Sequence, residues 1–188
     1  MKRQIRVIGI DDAPFRFEGE RTLVIGVVMR APMYVEGVLS ESVEVDGNDS
    51  TERIISMINK SRFREQLKAV MLDSGCLAGF NVVDLECVHE TLKKPVISIT
   101  KDKPDLSGIK CALQKHFPDW KERFRHLSKP MTESKHLPYR VYFRACGISN
   151  DEAESLISRF IVRGAIPEPI RVAHIIASGV TTGESKKG

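Results

Sequence analysis

The sequence is short of the features that mark several protein classes. Its 188 residues include 4 cysteines, Cys76, Cys87, Cys111 and Cys146, and no two of them form a CxxC pair. That spacing speaks against a structural zinc site or a disulfide framework and fits a reducing cytoplasm. No apolar run approaches the ~20 residues a helix needs to cross a bilayer. The opening MKRQIRVIGI is basic and then apolar, but Asp11 and Asp12 end it too soon for a signal peptide, so it reads as a strand. Aromatic residues make up 6% of the chain, too few for a base-stacking surface. Charge of one sign is not in excess either, since 29 basic and 25 acidic residues leave +4. That balance permits nucleic-acid binding without requiring it, because dedicated binders gather basic residues on one face. Here they are dispersed, apart from Lys121 to Arg125 and Lys186-Lys187, and a solvated surface accounts for them.

What is present is an ordinary globular composition, 41% hydrophobic and 29% charged. Gln4 to Ile10 reads as a strand, and Phe17 to Arg21 as a turn in which Gly19 is free to take positive φ. Thr22 to Met29 (TLVIGVVM) is an almost unbroken apolar run, suited to a strand buried on both faces. Met33 to Val45 holds a third strand, closed by the Asp46-Gly47-Asn48 turn. Asp49-Ser50-Thr51-Glu52 has the form of a capping box, and Ile54, Ile55 and Ile58 behind it share one helical face. Lys68 to Leu72 and Val96 to Thr100 are short strands. Val82 to Leu92, Leu106 to Phe117, Trp120 to Leu127 and Asp151 to Val162 read as helices. Tyr139 to Ala145 is a strand, Ile166 to Pro169 a turn, and Arg171 to Ser178 a short last helix.

Short turns join the first three strands, which are therefore expected to be antiparallel. Helical crossovers follow, so the remaining strands are expected to be parallel. The expected fold is a ribonuclease H-like α/β domain over residues 1–180, a mixed sheet with helices on both faces, and a mobile tail over 181–188.

In an open α/β sheet, reactive groups collect beyond the carboxyl ends of the strands. Asp11 ends the first strand, Asp73 ends the fourth, and Asp49 opens the helix between the third and fourth. Three converging carboxylates would repel one another unless divalent cations, magnesium or manganese, sat between them. Two such ions can clamp the attacking and leaving oxygens of a phosphodiester. Each acid also has a plainer reading: Asp11-Asp12 as a strand end, Asp73 as a strand-to-loop acid, Asp49 as a helix cap with Glu52 as its partner. Their joint placement at matching sheet ends favours the site. Asp12, Glu52 and Asp84 stand in reserve as ligands, although Asp84 fits a helix-opening acid. His174, in the apolar stretch VAHIIA, reads as a packed or hydrogen-bonded histidine. Arg171 reads as holding Glu168 or the sheet edge in place, and Trp120 as helix packing.

The segments Pro167 to Ala173, Ile8 to Asp11 with Phe15, Ala69 to Gly75, Pro95 to Lys101 and Gly79 to Asp84 carry a resemblance of the whole chain to endonuclease V, and more closely to an archaeal family known as domain of unknown function 99. Pro167-Glu168-Pro169-Ile170-Arg171-Val172-Ala173 is similar to a Pro-Glu-Pro-x-Arg-x-Ala segment of endonuclease V. Ile8-Gly9-Ile10-Asp11 with Phe15 resembles its first catalytic strand, and Ala69 to Asp73 followed by Gly75 its Asp-Gly strand end. Pro95 to Lys101 is similar to its Pro-Thr-Ile-Gly-Val-Ala-Lys strand, which puts Lys101 on an active-site lysine. The catalytic glutamate of that family falls nearest Asp49, with Glu52 as the alternative. The Gly79 to Asp84 run resembles the archaeal family.

The departures are equally specific. Asp46-Gly47-Asn48 replaces the Pro-Tyr-Ile-Pro wedge beside the lesion pocket. Cys76 to Asn81 replaces a loop bearing histidine and arginine, and Gly147-Ile148-Ser149 replaces Gly-His-Arg. The resemblance thus implies a metal-dependent, nuclease-like protein acting on DNA or RNA through Asp11, Asp49, Asp73 and Lys101. It also implies that deaminated-base recognition is lost. The competing expectation is a binding or interaction module that kept the scaffold without turnover.

Overall fold

The computed structural model describes residues 5–16 and 20–185. Most of the expected Phe17 to Arg21 turn, with Gly19, lies outside the described residues, as do Lys186 and Lys187. Strands β1 (Arg6–Asp12), β2 (Arg21–Arg30) and β3 (Tyr34–Glu44) form an antiparallel ribbon. After helix α1 (Ser50–Asn59), strand β4 (Ala69–Asp73) enters beside β1 and parallel to it. A two-stranded ribbon, β5 (Cys76–Leu77) and β6 (Asn81–Val82), precedes α2 (Leu85–Leu92) and β7 (Val96–Thr100), which lies parallel to β4. Helices α3 (Leu106–His116) and α4 (Trp120–Leu127) follow, then β8 (Thr132–Glu133), β9 (Tyr142–Cys146), α5 (Asn150–Ser158) and α6 (Glu168–Thr182). The main sheet has the order β3-β2-β1-β4-β7-β9-β8. This is the mixed, ribonuclease H-like sheet expected from the sequence.

One strand runs against expectation. β9 is antiparallel to β7, with Thr100 opposite Tyr142 and Val96 opposite Cys146. A single crossover helix would have delivered it parallel. Two helices, α3 and α4, pack on each other instead and return the chain to the end of the sheet it had left.

Period-two alternation sorts the central strands into two cores. Ile8, Ile10, Val70, Leu72 and Val96 pack with Ile54 and Ile58 of α1 and with Leu85, Val88 and Leu92 of α2. On the other face Val7, Met71, Ile97 and Ile99 pack with Ile157 of α5 and with Ile170, Ala173 and Ala177 of α6. Each such aliphatic side chain, buried to the last few per cent, contributes roughly 1.5–3 kcal/mol.

Helix α6 is longer than the sequence implied, and it begins where a turn was expected. Pro167 occupies its N-cap and Pro169 its first turn, where no N–H is needed. It runs through Thr182, past the expected start of the tail, and ends on Gly183 at φ 82°. Its first turn rests on the backbone of β1: a Cβ on Gly9 would lie 2.3 Å from the carbonyl carbon of Pro169 and 2.4 Å from Ile170 N.

Arg123 corrects the reading of residues 121–125 as a solvated basic run. It is 5% exposed. Its Nη1 donates to the carbonyls of Asp46, Gly47 and Phe80, its Nε donates to Asp119, and its guanidinium lies 4.3 Å from the centre of the Phe117 ring. One side chain thereby ties the turn after β3 to the β5–β6 loop.

Gly9→Ala is expected to destabilise the protein by about 2–3 kcal/mol, because the new methyl meets backbone that has no rotamer by which to yield. Chemical denaturation measures this. A variant as stable as the parent would mean that α6 does not lie on β1 this closely.

Candidate functional site

The register of β1 against β4 sets Ile10 opposite Leu72. The next residue on each strand is an aspartate, so Asp11 and Asp73 are neighbours about one strand spacing, ~4.8 Å, apart. Both belong to the sheet face covered by α6. That helix runs along β1. Ile170 meets Gly9, and four residues on, His174 Nδ1 lies 2.9 Å from Asp11 Oδ2. Four residues of helix and two of strand advance by similar lengths, ~6 Å and ~6.6 Å, which brings the imidazole over the carboxylate. Asp11 Oδ1 accepts from the Asp12 N–H.

Asp11 is 4% exposed. Burial, reinforced by the charges of Asp73 and Asp12, pushes its pKa up to about 7 against the pull of His174. Burial also raises Asp73, opposed by His174 and Lys101. A buried carboxylate held towards protonation, with a half-buried carboxylate beside it, forms a site that a cation would relieve. They line a cleft of about 860 Å³ whose other walls include Lys101, Arg163, Arg171 and His174. The floor is thus acidic and the rim basic, an arrangement that takes a cation below and an anion above. Arg171 pairs through two nitrogens with Glu168, as expected.

The remaining candidates fall elsewhere. Asp12 points to the opposite face, where its Oδ2 accepts from the Ala78 N–H. Asp49 stands at the N-cap of α1 but makes no side-chain cap bond. Its carboxylate instead accepts from Glu44 N, Asn81 Nδ2, Arg21 and Arg53. Burial would raise its pKa, but those hydrogen bonds outweigh it and hold the group below its usual value. Asn81, wholly buried, satisfies the helix end in its place by accepting from Ser50 N. Asp49 does not line the cleft, and α1 packs on the face away from Asp11. Glu52 is exposed on α1. Asp84 caps α2 by accepting from Cys87 N. Sequence reasoning missed His174 as a site residue. Its spacing of three residues from Arg171, one helical turn along the Pro-Glu-Pro-Ile-Arg segment, was the available signal.

A second cavity, about 390 Å³, opens on the other face of the sheet, lined by Ser74, Phe80, Ser98, Leu127 and Arg144 among others. It shares Thr100 and Asp102 with the first cleft, so the two meet at the carboxyl end of β7. Beside it, Asp84, Glu86 and His126 bring possible ligand atoms within 4.8 Å of one another. That group already carries its own cations: Glu86 is bound by Lys129 and Arg144.

The comparisons with known proteins agree on the family and the fold. The family model described as Endonuclease dU matches residues 3–181. A UPF0215 protein of Methanothermobacter thermautotrophicus is 44% identical over 191 aligned residues, covering 99% of this chain and 92% of the relative. A crystal structure of an Archaeoglobus fulgidus protein of unknown function superposes with a TM-score of 0.85 at 32% identity, covering 95% of this chain and 99% of that one. Endonuclease V of Ciona intestinalis, solved in complex with a DNA containing inosine, gives a TM-score of 0.59 at 13% identity, covering 92% of this chain and 84% of that one. The last likeness is one of fold. Among the described residues, no helix is long and apolar enough to cross a membrane.

Glu86 provides a pH test of the polar wall. Burial would raise its pKa, but the hydrogen bond from Lys129 and the charges of Arg144 and Lys129 bring it down to about 2. A depressed carboxylate stabilises the fold above its unfolded pKa, ~4.3, and loses that contribution as pH falls towards 2. Glu86→Gln should therefore melt below the parent at pH 7, with the gap closing between pH 4 and 2. A gap independent of pH would remove the ion pairs from the account.

Proposed function

The chain belongs to the Endonuclease dU family, and from that premise we propose that it hydrolyses DNA phosphodiesters at deoxyuridine with a divalent cation. The observation that carries this reading is the pairing of Asp11 with Asp73 under His174, in a cleft with a basic rim. Asp11 and Asp73 offer the hard oxygen ligands that magnesium or manganese takes. When bound, such an ion supplies stabilisation of negative charge on the phosphate oxygens. His174 and Lys101 do the rest. An ionised Asp11 only accepts, so the His174 Nδ1 donates to it, and in the neutral imidazole Nε2 is then the nitrogen with the lone pair. That nitrogen is the group fitted to take a proton from an attacking water. Lys101 offsets charge on the phosphate.

Enzymes that act on one base of a nucleic acid commonly extrude it into a pocket. The 390 Å³ cavity suits that purpose, because its shared wall at Thr100 and Asp102 leaves the phosphate of an inserted nucleotide near the cleft. The family description favours retained recognition of a deaminated base, against the loss that the replaced loops implied.

A second reading has one observation in its favour. Asp49 is locked between Arg21 and Arg53, which leaves two carboxylates and a histidine in place of three carboxylates. On that reading the chain binds uracil-containing DNA without cutting it.

Cleavage of a uracil-containing oligonucleotide with magnesium or manganese separates the two. Asp11→Asn and Asp73→Asn are expected to reduce cutting to background and to weaken manganese binding by calorimetry. His174→Ala should lower kcat by about 10²–10⁴-fold while manganese still binds. Undiminished cutting by Asp11→Asn would overturn the site. Tight binding without cutting by the unaltered protein would establish the second reading.

A further inference from the structure

Two buried polar side chains in the lining of the smaller cavity carry an atom with no hydrogen-bond partner: His126, through its buried Nδ1, and Ser98. Ser98 lies on β7, between Leu72 of β4 and Arg144 of β9, and is 3% exposed. Its hydroxyl finds no hydrogen-bond partner among the described residues, although it lines the cavity. Of its polar neighbours, Ser74, Thr100 and Arg144 are engaged. Ser74 Oγ donates to Cys76 O and Thr100 Oγ1 to Asp102 O, while Arg144 donates to Glu86 and to His126 O. The hydroxyl opens on the cavity and is left for water or a bound ligand to satisfy.

The surroundings narrow what its partner is. Phe80, Val83, Leu85 and Leu127 give the cavity apolar walls. Of the cations in the lining, Lys129 and Arg144 are both bound to Glu86, and Lys103 is exposed. The interior therefore favours a flat, neutral ring with a polar edge over a phosphate.

We propose that Ser98 is a specificity residue: its hydroxyl hydrogen-bonds the carbonyl and N–H edge of a pyrimidine base held in this cavity. The inference rests on the reading above that the cavity receives the extruded base. A serine hydroxyl rotates to donate to a ring carbonyl or to accept from a ring N–H, and both occur on uracil.

The test compares two oligonucleotides, one bearing uracil and one an abasic tetrahydrofuran at the same position. Binding is followed by fluorescence anisotropy in the Asp11→Asn background, which prevents turnover. That protein is expected to bind the uracil strand tighter than the abasic one. Adding Ser98→Ala should shrink the advantage by about 3–10-fold, the scale of one hydrogen bond. The Ser98→Ala protein should also melt close to the parent's temperature, since the hydroxyl makes no hydrogen bond within the described residues. An advantage that survives Ser98→Ala overturns the proposal, and so does a large fall in melting temperature, which would make the hydroxyl structural. Absence of any uracil advantage in the Asp11→Asn protein would overturn the base-cavity reading itself, and this inference with it.

Discussion

Two carboxylates are forced together by the pairing of β1 with β4. The parallel register that buries Ile8, Ile10, Val70 and Leu72 on one face leaves Asp11 and Asp73 adjacent on the other. One strand spacing apart, with both ionised, they repel by roughly 3–4 kcal/mol at an effective dielectric near 20. Their positions are not free to adjust, because a one-residue slip of either strand would turn its whole apolar set to the wrong core. The protein thus holds an electrostatic conflict at its centre. His174 and Lys101 relieve part of it, and a divalent cation would relieve the rest.

Helix α6 completes the site by a purely steric route. Gly9 lets the first turn of α6 lie on the backbone of β1, which fixes where His174 falls along the strand. On the opposite face, Arg123 staples the turn after β3 to the β5–β6 loop through three carbonyls. That staple helps to set Phe80 in the wall of the smaller cavity. The two cavities meet at Thr100 and Asp102, so groups fixed by separate cores converge on the end of β7.

Much of this was legible in the residues. Alternation and turn chemistry marked β1 to β4 and β7, and strand-end acids marked Asp11 and Asp73. Other features depended on tertiary partners. The direction of β9 follows from the pairing of α3 with α4, which no local pattern records. The prolines of α6 looked like a turn because proline serves equally at a helix start. Asp49 fitted a cap and a ligand alike, and only the approach of Arg21, Arg53 and Asn81 gave it a third role. His174 sat in an apolar stretch and read as packed or hydrogen-bonded, and only the pairing with β1 showed that its partner is Asp11. Arg123 was hidden in a run of charge whose other members are largely exposed.

The central claim is that Asp11 and Asp73 share a hard cation. Diffraction from manganese-soaked crystals, recorded at the metal's absorption edge, tests it most directly. The account requires an anomalous peak within about 2.0–2.6 Å of oxygens from both carboxylates. A peak at Asp84, Glu86 and His126 alone, or none in the cleft at saturating manganese, would contradict it.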